Sequence, residues 1–159
     1  MALWIKDYDA SQPPVGQIHQ ARFDAALALV RAGYEDLIAM RDSLSPQTQL
    51  FFHGYDFAIP DGRGVCFLGP WLKPTFDLRA FPTRAAAFDV TKIMLQQFAA
   101  MLQALVVAHA GVTFINGQGT LAPQTSSWHN ELHPSKSGFD AFAALFHQKI
   151  KTLFPTQVL

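Results

Sequence analysis

Cysteine is nearly absent: Cys66 is the single one in 159 residues. One thiol excludes an internal disulfide and every cysteine-rich zinc motif. Charge is scarce as well. Asp, Glu, Lys and Arg make up 15% of the chain, twelve basic against twelve acidic, so the formal net charge is zero. No basic block or stripe is present, which argues against a nucleic-acid partner. No acidic tail suggests an electrostatic role. Long hydrophobic runs are missing too, and none approaches the roughly 20 apolar residues of a membrane span. The opening "MALWIKDYDASQPP" places Lys6, Asp7 and Asp9 where a signal peptide needs an unbroken apolar core. The expected compartment is therefore the cytoplasm, the default for a chain with so little cysteine.

Apolar material is abundant. Half the chain is hydrophobic and 13% is aromatic, with fourteen Phe. That suffices for a core and runs against disorder. At this length one domain, residues 1–159, is expected.

Residues 1–16 read as irregular and end in "QPPVG". From about residue 18 to residue 44, Phe23, Ala26, Leu27, Val30, Tyr34, Leu37 and Ile38 fall on one helical stripe. "TQLFFH", residues 48–53, is short, apolar and followed by Gly54, so it reads as a buried strand. Residues 54–83 show no period and hold "GYDFAIPDGRG" and "GPWLKPTF". Loops this long are usually functional or disordered, and the aromatic content here favours an ordered one. A second helix is expected over about 84–108, and "GVTFIN", residues 111–116, reads as a second buried strand. "GQGTLAPQTSSWHNELHP" is a loop. The last helix begins near Ser137, with Asp140 three residues on in a capping-box-like arrangement. Phe139, Phe142, Ala143, Phe146, Ile150 and Leu153 form its stripe.

This alternation predicts an α/β fold with a parallel sheet and helices on its faces. Two strands are too few for a parallel sheet to stand alone. Either further strands lie unrecognised, or the chain is part of something larger.

Polar chemistry crowds into "SSWHNELHPSKSGF", residues 126–139. His129 and His133 have the i, i+4 spacing of a helical zinc pair, but Pro134 and the preceding "APQTSS" argue against a shared helix face. His129-Asn130-Glu131 matches the His-x-Glu of zinc deaminases, yet no Pro-Cys-x-x-Cys follows. No metal or other cofactor is expected. Acid–base chemistry fits better, because ligands of open parallel sheets bind past the carboxyl ends of the strands. The loop carrying His133 leaves such an end, and histidine suits proton transfer near neutrality. The alternative is that His133 only caps or packs the loop.

"WHNELHPSKSGFDAFAALF" resembles the C-terminal block of SGNH/GDSL-type serine hydrolases: Asp-x-x-His-Pro, a small residue, Gly-Phe and an amphipathic helix. "FFHGYDFAIPDGRG", "GPWLKPTF" and "INGQGTL" are similar to segments of one bacterial branch of that superfamily, in the same order. The likeness runs from about residue 48 to residue 146. It implies a three-layer α/β/α, flavodoxin-like sheet of which only the C-terminal strands are present. It also implies ester hydrolysis through a serine nucleophile, acting on a small-molecule ester. By position His133 matches the catalytic base. Asn130 stands where most of the superfamily has the triad Asp. Asn116 and Gln118 stand where an acidic and a basic residue are expected. Glu131, Asp56 and Asp61 are candidate substitute carboxylates. Asp56, Trp71 and Trp128 are candidate substrate-binding residues, and His53 could face the same site. The Gly-Asp-Ser nucleophile block and the Gly-x-Asn-Asp oxyanion block are absent from the sequence. The chain thus resembles the C-terminal half of such a hydrolase, inactive alone. The rival expectation is a non-catalytic module. Such a module is expected to form a homo-oligomer that buries the edge of strand 48–53 or of strand 111–115; for the hydrolase reading the alternative partner is a missing N-terminal half.

Overall fold

A computed structural model describes residues 1–65 and 67–157. Cys66 therefore lies outside the described residues. The order is α1 (Gln20–Leu44), β1 (Leu50–His53), α2 (Lys73–Leu78), α3 (Arg84–Ala108), β2 (Val112–Ile115) and α4 (Lys136–Leu153). The protein is mixed α/β, and β1 and β2 form a two-stranded parallel sheet with Leu50 opposite Val112 and His53 opposite Ile115.

Helices cover both faces of this sheet. On one face Phe52, Val112 and Phe114 join Ile38 of α1 and Ala99, Leu102 and Leu105 of α3 in a buried cluster. Side chains alternate along a strand, so Phe51 and His53 point the other way. There His53 meets Phe146 of α4, with ring centroids 5.5 Å apart, and Phe51 meets Phe154. Arg41, near the end of α1, is buried and ties both strand entrances together. Its guanidinium donates to the carbonyls of Thr48, Ala110 and Gly111 at 2.8 Å each.

Helix α3 matches its expected span. Thr83 caps it, its hydroxyl accepting from Ala86 N, and Ala87, Val90, Thr91, Met94, Leu102 and Leu105 are its buried seam. The sequence reading found no membrane span. Yet α3 is long and apolar enough to cross a bilayer, with mean hydropathy 1.4 over its best window. Lys92 and the glutamines Gln96, Gln97 and Gln103 interrupt any continuous apolar run within it.

Other elements correct the expectations. Helix α1 starts at Gln20, and of its expected stripe only Phe23 and Ile38 are buried, while Val30 and Leu37 are 43% and 52% exposed. Residues 1–16 are irregular, as expected, up to a short 3-10 turn at Pro14–Gln17, yet they are packed into the core. Ile5 bridges to Ile18, and both pack with Phe23, Phe76, Val90 and Met94. The long segment 54–83 holds the short helix α2, with a proline in its first turn. The cap of α4 is Ser135, whose hydroxyl accepts from Gly138 N, not Ser137. Asp140 pairs instead with Lys136.

Candidate functional site

Two loops leave the carboxyl ends of the strands, residues 54–72 after β1 and residues 116–135 after β2. Buried polar side chains lace them together. Asp56 is 2% exposed, and its carboxylate accepts from Phe57 N, Gly119 N and Leu121 N, each at 2.7 Å. Glu131 is fully buried and accepts four backbone N–H groups: Gly62, Trp71, Leu72 and Lys73, at 2.6 to 3.0 Å. Arg63 donates to the carbonyls of Thr125 and Trp128 and pairs with Asp61. A buried carboxyl group is costly unless such donors replace its water, and each of these acids has its hydrogen-bond partners supplied by the loops.

Both acids are therefore fully engaged with the backbone. Asp56 lines the cavity described below, but its oxygens bind loop amides rather than turning to a substrate. Glu131 and Asp61 do not approach the His133 ring as orienters, because their oxygens meet backbone amides and Arg63. Sequence reasoning missed Glu131 and Arg63 as clamps. The only local signal was a lone acid between Asn130 and Leu132 in an otherwise uncharged loop.

The orienter of His133 is Asn130. Asn130 is 1% exposed, and its Oδ1 accepts from Leu132 N and His133 N at 2.9 Å. The ring Nδ1 of His133 lies 3.0 Å from the same oxygen. Two of these three donors are backbone amides, so the atom must be the amide oxygen. The ring nitrogen beside it must then carry a proton. This leaves the lone pair on Nε2, which has no partner among the described residues. The tight loop is closed by His129 N donating to the His133 carbonyl at 2.8 Å. His129 and His133 thus share a loop, not a helix, and no three His, Cys, Asp or Glu side chains gather as a metal set among the described residues.

His133 opens onto a cavity of about 260 Å³, walled by His53, Trp128, Leu132, Phe139, Phe142 and Phe146. The wall is almost wholly apolar, as small-molecule sites usually are. Trp71 stands edge-on to the His133 ring, centroids 6.4 Å apart, while Trp128 is 3% exposed, its indole N–H without a partner among the described residues. His53 faces the same cavity, 3.3 Å from the carbonyl of Gly54. Asn116 and Gln118 stand apart from it: Asn116 accepts from Gln118 N, and Gln118 donates to the Leu95 carbonyl. No serine lines the cavity. The hydroxyls of Ser135 and Ser137 bond each other, Ser45 bonds Thr48 and Ser11 bonds Asp9. The arrangement can hold and pass a proton at Nε2, and among the described residues no serine or threonine hydroxyl lines the cavity.

No protein-family model, curated protein or solved structure matches the chain.

Proposed function

We propose that the chain is the C-terminal portion of an SGNH-type ester hydrolase, with a three-layer flavodoxin-like sheet completed by strands outside this sequence. His133 is the general base and Asn130 its positioning residue. The observation that carries this reading is the Asn130 Oδ1 to His133 Nδ1 contact of 3.0 Å, which fixes the tautomer and leaves Nε2 basic beside an apolar cavity. In acyl transfer such a nitrogen takes the proton of a nucleophilic hydroxyl and returns it to the leaving group. An amide orients the ring as a carboxylate does, but it adds no charge to stabilise the imidazolium.

The serines of this chain fit no nucleophile block, so it works with a partner segment or has lost the activity. Without nucleophile and oxyanion donors most of the rate enhancement is gone. The test is ¹⁵N NMR of the His133 ring together with fluorophosphonate labelling read by intact mass. The reading expects a proton on Nδ1 and no adduct on the isolated chain. A proton resident on Nε2 would sink it. A single labelled serine, lost in His133→Ala, would make the chain an esterase in its own right.

A further inference from the structure

We propose that the site takes the ester of a straight, unsubstituted acyl chain, with the carbonyl at His133 and the tail in a second cavity between α1 and α3. The inference rests on the reading of His133 as the reacting end and adds the substrate class to it. The second cavity holds about 330 Å³ and is lined by Ala26 and Leu27 of α1 and by Met94, Leu95 and Phe98 of α3. The cavity beside His133 holds about 260 Å³. Tyr55 and Leu132 line both cavities, and among the described residues no other residue does. The two spaces are therefore neighbours across one shared wall.

That wall stands next to the reacting end. Leu132 directly precedes His133, so a chain leaving a carbonyl held there meets the wall at once. Tyr55 lies two residues past His53, the last residue of β1. Helix α4 packs on one face of the sheet and α1 and α3 on the other, so a tail that passes Tyr55 rounds the carboxyl end of β1 from one face to the other. Tyr55 is 44% exposed, and exposed side chains change rotamer within nanoseconds, so its ring is no fixed barrier. Alone, the cavity beside His133 falls below the roughly 300–1,000 Å³ of small-molecule sites. Together the two enclose about 590 Å³, inside that range.

The lining of the second cavity selects the tail. No charged side chain lines it. Thr91 brings its one aliphatic hydroxyl, and that hydroxyl donates to the Ala87 carbonyl of its own helix. A sugar, phosphate or carboxylate would give up its water there and find no partner in exchange. An acetyl group would leave the second cavity unused. An alkyl chain gains with every carbon, because burying one methylene is worth about fourfold in affinity. The cavity beside His133 is lined by no Lys or Arg, so it offers a free fatty acid no counter-charge and suits the uncharged ester.

The full chain lacks the nucleophile block, so binding is the readout. Protein carrying ¹³C-methyl methionine and ¹⁵N histidine is titrated with methyl butanoate, methyl octanoate and octanoate. Met94 lines the second cavity, while Met40 and Met101 line neither and serve as internal controls. Methyl octanoate should shift the Met94 methyl and the His133 ring together, and bind about two orders of magnitude tighter than methyl butanoate. Methyl butanoate should shift His133 alone. Ala26→Trp, which fills the second cavity from α1, should abolish the Met94 response and the gain with chain length while the butanoate response stays. A His133 response of equal affinity at both ester lengths overturns the acyl tail and leaves the hydrolase reading standing. A Met94 response without His133 overturns it too, because the second cavity would then be a site of its own. Octanoate binding more tightly than its methyl ester overturns the ester and assigns a free fatty acid. Silence of both nuclei toward every ligand counts against this inference and the hydrolase reading alike.

Discussion

Asn130 Oδ1 stands 3.0 Å from the ring Nδ1 of His133 while also accepting the backbone N–H groups of Leu132 and His133, two and three residues on. One oxygen therefore shapes the loop and sets the protonation pattern of the imidazole. Asn130→Ala leaves the Leu132 and His133 amides without their acceptor. A loss of about 2 kcal/mol in urea unfolding is expected. The ring should also lose its single tautomer, and ¹⁵N shifts of an averaged imidazole would show it. An unchanged tautomer would mean that something other than Asn130 holds the ring.

Glu131 has a larger role in holding the loops. Four amides from residues 62–73 converge on its carboxylate. Glu131→Gln places an amide NH₂ against N–H donors that need an acceptor. Destabilisation of about 3 kcal/mol or more is expected, since hydrogen bonds to charged groups are the stronger kind. Hydrogen exchange should locate the damage, with protection lost first at Trp71, Leu72 and Lys73. Uniform loss across the sheet would contradict a clamp role.

Gly117 follows β2 and presses against Phe142 of α4. A Cβ there would overlap the edge of that ring. Gly117→Ala should displace Phe142 into the 260 Å³ cavity and cost about 1–3 kcal/mol, as overpacking usually does. A paired Phe142→Leu change should recover part of the loss. No recovery would place the strain elsewhere.

His19 precedes α1, and desolvation lowers its pKa below the ordinary histidine value, with Arg22, Lys6 and Arg79 acting in the same direction. The unfolded chain then binds the proton more readily than the folded one. Stability contributed by neutral His19 is present above about pH 6.5 and is lost as pH falls toward the depressed value. His19→Gln should flatten the stability profile below about pH 6.5 while leaving it unchanged at pH 8. An identical slope in the variant would assign the acid sensitivity to other groups.

Much of this fold is legible along the chain. The 84–108 helix could be read because capping Thr83 and a seam at helical spacing lie close together in sequence. The two strands could be read because a short apolar run closed by a turn residue is a local pattern. His133 stood out because a histidine before proline, past a strand end, is rare enough to question. Those features depend on neighbours a few residues away, so the sequence by itself determined them. What lay beyond reach were relations across about 60 residues. Glu131 became a loop clamp rather than a spare catalytic acid because the amides of residues 71–73 arrive at it in space. Asp56 was taken up by Gly119 and Leu121 in the same way. The α1 stripe looked like one buried seam, yet packing used only part of it, because α3 and the sheet reach one flank of the helix and leave Val30 and Leu37 exposed. Periodicity states which side chains share a face. Only the tertiary arrangement decides which of those faces, and which of the buried acids, meets a partner.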